Sequence, residues 1–502
     1  MTREVEKLQL EIGSLPIAAI KFDPRSRDDI PKILKGLQYI YVTDSMREPL
    51  FKLLEEKILP SVNKQNGRPG LSLWKIFVMG VLRLDLNCDY DRVMELVNHH
   101  DTVRQMLGHN DYFDKSPYHF LTIKQNVSLL TPELLEEINH VIVRGGHELM
   151  GKKKEKEPLH GRCDSFVVET NVHYPTDINL LFDAMRKVIQ LTARMSDDHS
   201  LSDWRQSVYN VKQIKRSFRQ AQQKKRVSAK SEKQKPMVEK AIQEAHQELI
   251  TLSQKFLAKA MISCDQITQC AAAKLSDLAQ ISAIKNFMQH ADRQIDQIIR
   301  RVLKGEMIPH EEKVFSIFQP HTEWISKGKA GVPVELGLRV CVLEDQHQFI
   351  LQHRVMEKET DNQVAIIMVK NTKEHFSNLE SCSFDQGFHS PNNQQVLPEH
   401  LKVVALKRKG KLSQKAKEIE GSEIFKKARH KHSAVESAIN ALEVHGLDQC
   451  PDHGIDGFKR YVALAIVARN IHRIGDIITK KEQKNRARKN LHCRGSTLLL
   501  AA

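Results

Sequence analysis

The feature that most constrains the fold is a long block, from about Asp177 to Glu312, whose apolar residues follow a helical period throughout. It contains almost no glycine. Towards its end, apolar residues recur at alternating steps of three and four, which is typical of a coiled-coil or helix-bundle seam. We therefore predict a separate helical insertion at 181–312. The seam residues are Ile281, Ile284, Met288, Ala291, Ile295, Ile298 and Val302.

The sequence on both sides of this block indicates strands. Cys163–Glu169 is β-prone and precedes the block, and the alternating run Leu336–Val342 followed by Phe349–Val355 predicts a β-hairpin after it. A helix over 361–376 and strands over 379–384 and 401–406 follow. Strands that alternate with helices predict an α/β sheet. We assign this α/β domain to 158–180 plus 313–478, interrupted by the insertion.

The two ends of the chain read as helical. Residues 1–125 contain a nearly all-apolar stretch, Leu73–Leu84, which predicts a buried central helix with Ser72 as its N-cap. Shorter helices are expected to begin near Asp89 and Asp101. Such a domain is either helix-turn-helix-like or an ordinary helical bundle. From about residue 422 the chain is again helical, and a basic tail occupies 479–502. The fold class is therefore multidomain α+β.

The charge of the chain points to a polyanionic partner. The formal net charge is +15, which favours nucleic acid first and an anionic membrane surface second. The longest purely apolar run, Tyr461–Ala468, has 8 residues, whereas about 20 are needed to span a bilayer. The N-terminus has no apolar signal core. The eight scattered cysteines suggest reduced thiols, and we expect a cytoplasmic protein without membrane contact.

Basic residues concentrate in three segments. Lys212–Lys235 has ten Lys or Arg against one acid, and Lys402–Lys417 and Lys480–Arg494 are also basic. Such runs are often only solvated faces, but this excess favours contact with DNA phosphates. The residues singled out as DNA-binding candidates are Lys224, Lys225, Arg226, Lys407, Arg408 and Lys409.

Three acidic residues stand out by context. Asp164 lies in the β-prone stretch before the insertion, Asp385 follows a predicted strand at a glycine turn, and Glu436 lies in a predicted helix. Two Asp and one Glu suffice to hold a pair of Mg²⁺ ions. Residue type alone is weak evidence for a metal site, because the chain has 62 acidic residues.

The predicted helix around Glu436 presents a polar face. Steps of three and four residues place Arg429, His432, Glu436, Asn440 and Glu443 on one side. Arg429, His432 and Asn440 are candidates for contact with DNA near the scissile phosphate. The alternative is that this face is simply solvated.

Several segments together resemble bacterial insertion-sequence DDE transposases, and most of all the ISNCY group. The string Asp164–Asp177 with Leu180-Leu181 is similar to the first catalytic block of that family. The later blocks follow in order, so that the resemblance covers roughly residues 60–475. The later blocks are 327–330 with Pro333–Gly337, then Phe384–Phe388, His432–Ser437, and Gly446–His472.

The resemblance implies an RNase H-like catalytic domain with Asp164, Asp385 and Glu436 as catalytic residues and metal ligands. They would hold two Mg²⁺ ions, for which Mn²⁺ can substitute. The implied activity is cleavage and strand transfer of double-stranded DNA, both element terminal inverted repeats and target, with the N-terminal helices binding DNA. A homodimer or larger oligomer would pair two element ends near the bacterial nucleoid. The alternatives are an RNase H-like nuclease without strand transfer and an inactive DNA-binding relative.

One part of the resemblance departs from the family pattern. Related groups place a Tyr and an Arg before the catalytic glutamate and a Lys after it. The corresponding residues here are Arg429, His432 and Glu443. An acidic Glu443 cannot replace a lysine that binds DNA.

Overall fold

A computed structural model describes residues 4–6, 14–23, 25–58, 70–109, 117–151, 157–228, 231–269, 274–326 and 333–499, without the side chains of 415 and 489–499. The chain divides into two compact units. The first unit comprises 1–171 and 325–502, and the second comprises 172–324. The block at 327–330 that contributes to the family resemblance lies outside the described residues.

Helices form the N-terminal part of the first unit. The expected helix over Leu73–Leu84 is confirmed, and its side chains are almost all buried. Ser72 is at its N-cap position, but the side chain makes no capping hydrogen bond. Asp89 does cap the next helix by accepting from the Arg92 amide. The helices described before the first strand are α1 (Ile30–Val42), α2 (Asp44–Ile58), α3 (Leu73–Asp85), α4 (Tyr90–His99), α5 (Asp101–Met106), α6 (Phe120–Val127) and α7 (Pro132–Leu149).

The second unit, which follows strand β1 (Leu159–Thr170), is helical. Its last long helix carries the apolar seam and packs against its first. The seam residues from Ile281 to Ile298 are buried in the core of this unit, and Val302 is half-buried. The seam is therefore used within one chain. The long helices of the unit are α8 (Asp177–Asp198), α9 (Ser207–Lys225), α10 (Lys235–Gln269) and α11 (Leu275–Ile298).

The described part of the first unit contains a mixed sheet, which confirms the predicted mixture of helix and sheet. Strand β1 pairs antiparallel with β3 and parallel with β5 and β7, and the order of strands along the sheet is β2-β3-β1-β5-β6. Strand β4 pairs with β3 in the predicted hairpin. The strands are β2 (Glu323–Ser326), β3 (Val334–Glu344), β4 (Ile350–Met356), β5 (Leu379–Phe384), β6 (Val403–Ala405) and β7 (Gln449–Cys450).

The remaining helices flank this sheet or follow it. The C-terminal region is not helical throughout, because the chain turns at Gly446, where φ is +103°, and then forms β7. The basic tail expected from residue 479 continues the last helix. These helices are α12 (Asp361–His375), α13 (Pro391–His400), α14 (Gln414–Gly421), α15 (Glu423–His432), α16 (Ala434–Leu442) and α17 (Gly454–Leu499).

Helices α1 and α17 of the first unit pack closely against each other at two glycines. A Cβ atom added at Gly475 would lie 2.0 Å from the carbonyl oxygen of Lys32, and one at Gly36 would lie 2.3 Å from that of Ile471. Real Cβ atoms do not approach a backbone oxygen so closely, so the two helices must move apart if either glycine gains a side chain.

We therefore expect Gly475→Ala to lower the free energy of unfolding by about 1–2 kcal/mol net, because overpacking a core costs up to about 3 kcal/mol. This cost exceeds the gain of about 1 kcal/mol that alanine brings to a helix. Denaturant unfolding would measure the change. Gly421→Ala is the matched control, because a Cβ there meets nothing within 4 Å. Equal stability of the two variants would contradict the close contact.

Among the described residues, no helix combines the length and the apolar character needed to cross a membrane.

Candidate active site

The register of two parallel strands brings Asp164 and Asp385 together. Cys163 on β1 pairs with Phe384, the last residue of β5. Asp164 is the next residue of β1, and Asp385 directly follows the end of β5. Parallel strands lie about 4.8 Å apart, and residues in register point to the same face. The two carboxyls therefore share one edge of the sheet, at the point where β5 ends.

The sheet has a gap beside Asp164. The pairing of β1 with β5 stops at Cys163, and its pairing with β7 begins only at Glu169. Helix α16 packs against β1. In open α/β sheets, ligands bind where a strand ends and the neighbouring connections diverge.

The helices after β6 place Glu436 near Asp164 and Asp385. Helix α15 packs against β5 and β6, and the Nδ1 atom of His432 lies 3.0 Å from the Ser383 hydroxyl oxygen. Arg429 donates to the carbonyl oxygen of Phe384 over 3.5 Å. Glu436 lies one turn beyond His432 on the following helix, α16, where its side chain is exposed.

A fourth carboxyl, that of Asp361, lies near Asp164, and the sequence gives no prediction of it. It lies in the first turn of α12 and accepts a hydrogen bond of 2.6 Å from the Ser165 hydroxyl. A Cβ added at Gly387 would lie 3.0 Å from its Oδ2 atom. Asp361 therefore lies between β1 and the turn that follows Asp385. Its only sequence signal was its position at a helix start after the hairpin.

Burial and the charges of the other three carboxyls both act on Asp164. Burial is the main cause that raises its pKa, to about 7, and the charges of Asp385, Asp361 and Glu436 raise it further. The Ser165 amide, which donates to Asp164 over 2.8 Å, opposes this shift. Ionised Asp164 is thus unfavourable in the folded protein without a compensating positive charge.

This donor set matches a hard cation in chemistry but is not a finished metal site. Carboxylate oxygens from several chain segments are the ligands that Mg²⁺ prefers. In the described residues, however, no group of three or more His, Cys, Asp or Glu side chains is arranged to hold a metal ion.

The raised pKa of Asp164 makes stability depend on pH. The native state holds the proton up to about pH 7, whereas the unfolded chain releases it near pH 4. Stability therefore falls as pH rises between these values. We expect Asp164→Asn to be more stable than the wild type above pH 7, by at most about 4 kcal/mol.

Denaturant unfolding between pH 4 and pH 8 measures this difference, which should vanish near pH 4. Exposed Glu399, on α13, provides the control variant Glu399→Gln. A stabilisation by Asp164→Asn that grows towards acidic pH would contradict the interpretation.

His432 is buried, although the sequence placed it among the residues expected to contact DNA. Only 9% of it is exposed, and its Nε2 atom has no hydrogen-bond partner among the residues that the structure describes. Burial lowers its pKa, and the nearby Arg429 lowers it further. The expected single polar face is divided, because α15 ends at His432 and α16 begins at Ala434. Arg429 is half-buried, and Asn440 is exposed on α16.

The loop of basic residues after β6 is joined to the turn that follows Asp385. Lys407, Arg408 and Lys409 are exposed, and the Gln386 side-chain amide donates to the Arg408 carbonyl oxygen over 3.2 Å. This bond ties the loop to the turn after Asp385. Arg408 and Lys409 also line a cavity of ≈ 530 Å³.

The other candidate DNA-binding residues belong to the second unit. Lys224 and Lys225 end α9, Arg226 follows directly, and all three side chains are exposed.

Comparisons with protein-family models, with curated proteins and with solved structures find no match to this chain. The case for a function therefore depends on the residues and their arrangement.

Proposed function

We propose that the protein is a DDE transposase, which cleaves DNA at the ends of a mobile element and joins them to a target. The observation that carries this proposal is the placement of Asp164 on β1 beside the end of the parallel strand β5, which Asp385 follows directly, with Glu436 on a helix that packs against β1. The order of these three acids along the chain is that of the family it resembles.

We infer that the first unit contains an RNase H-like catalytic domain. Support comes from the mixed sheet, in which the strand that bears Asp164 lies between an antiparallel hairpin and the parallel strand that leads to Asp385. The N-terminal helices are proposed to bind DNA. Helix α3 is buried and cannot enter a groove, so contact with bases would fall to its more exposed neighbours.

Asp164, Asp385 and Glu436 would hold two Mg²⁺ ions, or Mn²⁺ in their place. When bound, such ions neutralise the charge of the phosphodiester and favour the ionised form of the attacking oxygen. The raised pKa of Asp164 supports this role, because crowded carboxyls gain most from a bound cation. Asp361 holds the Ser165 hydroxyl and adds a further negative charge at the site.

The proposed reaction has two steps. A water oxygen first bonds to the phosphorus at the element end, and the 3′ oxygen leaves and takes up a proton. The freed 3′-OH then bonds to a phosphorus of target DNA, displaces its 3′ oxygen and gives up its own proton. Both steps need positioned phosphates and no covalent enzyme intermediate. Lys407, Arg408 and Lys409, beside Asp385, would hold the flanking phosphates.

The decisive experiment supplies the full-length protein with Mg²⁺ and DNA that carries the inverted repeats flanking its gene. We expect nicks at the repeat ends, and joining of a pre-cleaved 3′-OH end to a plasmid target. Cleavage without joining would indicate a nuclease, and binding without either reaction would indicate an inactive relative. Both outcomes would contradict the proposal. Sedimentation of the DNA complex would test the expected pairing of two ends by two or more copies.

A further inference from the structure

The second unit contains a cavity whose walls combine aromatic rings and cations. Its volume is ≈ 400 Å³, within the usual range of small-ligand sites, about 300–1,000 Å³. Tyr174, Phe315 and Trp324 line it, and the Trp324 ring centroid lies 5.6 Å from that of Tyr174 and 5.7 Å from that of Phe315. Tyr174 is 60% exposed, which is unusual for a ring that serves only as packing.

The same cavity has a positively charged rim. Its lining includes Lys225, Arg301 and Lys313 together with Asp177, and these four side chains carry a formal charge of +2. An ion pair of 3.0 Å to Asp177 fixes the Arg301 guanidinium. Lys225, one of the DNA-binding candidates, is the last residue of α9.

These two features together favour one kind of ligand. Aromatic side chains stack on the faces of unpaired bases whatever their identity, and Lys and Arg bind the phosphates that connect them. A purely apolar ligand would leave the cations without a counter-charge, and a paired base cannot present its face to an aromatic ring. The shared chemistry is therefore a nucleobase that carries a phosphate.

We propose that this cavity binds a single unpaired base of DNA, stacked against Tyr174 and Trp324, with its phosphate held by Arg301 and Lys313. The inference rests on the proposed function for its substrate, DNA. Its structural evidence is independent of the carboxyls, because every residue that lines the cavity belongs to the second unit.

The chain provides a reporter for this binding. It has 3 tryptophans, and Trp74 and Trp204 are each only 2% exposed, whereas Trp324 is half-buried and lines the cavity. Stacking of a base on Trp324 should therefore quench the exposed part of the protein's fluorescence.

The test titrates the full-length protein, in EDTA to prevent cleavage, with a DNA duplex that contains one unpaired adenine. The same duplex fully paired, and free dAMP, are the comparison ligands. We expect quenching and tighter binding with the unpaired base, and about five- to a hundred-fold weaker binding of it by Tyr174→Ala. Tyr209→Ala is the matched control, because Tyr209 is also on the surface of this unit, 57% exposed, and does not line the cavity.

Each outcome decides the inference. Equal binding of paired and unpaired duplexes, or equal losses in the Tyr174 and Tyr209 variants, would overturn it. Binding of free dAMP as tight as that of the duplex would assign the cavity to free nucleotides and would also overturn it. Base-dependent quenching in a protein that never cleaves DNA would leave this inference standing and remove the proposed function. Cleavage without base-dependent quenching would remove this inference and leave the proposed function standing.

Discussion

Asp385→Asn is expected to abolish cleavage at the element end, with a loss on the order of 10⁴-fold in rate. The substitution keeps the shape of the side chain at the end of β5 but removes a negative charge beside Asp164. Single-turnover cleavage of labelled end DNA in Mg²⁺ measures the loss. Binding of the same DNA, measured in EDTA, should stay within about two-fold of the wild type, because binding depends on the basic residues.

Two variants make this result specific to the carboxyls. Asp164→Asn and Glu436→Gln should lose cleavage to a similar extent, since the three residues act as a unit. Glu399→Gln, at an exposed position of α13, should cleave normally. Full cleavage by Asp385→Asn would eliminate the assignment of this residue and with it the proposed reaction.

DNA binding is expected to weaken steeply with salt. A protein that contacts six to ten phosphates loses about 10³–10⁵ in affinity between 50 and 200 mM salt. Combined substitution of Lys407, Arg408 and Lys409 by glutamine should lower the log–log slope by about 2.7, or 0.9 for each lost phosphate contact. The loss should be similar for any DNA sequence, because phosphate contacts do not read bases.

A triple variant with the same change of charge controls for the overall field of the protein. Lys52, Lys240 and Lys370 are exposed lysines on α2, α10 and α12, and their replacement by glutamine should change the slope much less. An equal change in both triple variants would show that net charge, and not the loop after β6, determines the salt dependence.

The strands and the helical seam could be predicted because their signals are local. Alternation with a period of two identified the hairpin of β3 and β4, and the three-four spacing identified α11. The proximity of Asp164 to Asp385 was implied by the family resemblance and not by a local pattern, because Asp164 lies in the middle of β1 and only the register of β1 against β5 brings it beside the end of β5.

The missed features depend on three-dimensional contacts. Asp361 lies near the other carboxyls only because α12 begins beside Ser165. Asp361 and Ser165 are 196 positions apart in the sequence. His432 had the right spacing for an exposed face, but the packing of α15 on β5 buries its ring against Ser383. Spacing defines which residues share a helix face and cannot determine which face another segment covers.

The hydrogen bond between the Thr170 hydroxyl and the Leu336 carbonyl, with Glu169 opposite Gly337, makes the end of β1 and the start of β3 direct neighbours. The whole second unit lies in sequence between these two strand ends. A short turn in its place would restore an ordinary hairpin without shifting the register of the strand that bears Asp164. The sheet of the first unit is thus arranged so that the inserted unit could be exchanged for a different module while the strand that bears Asp164 keeps its register.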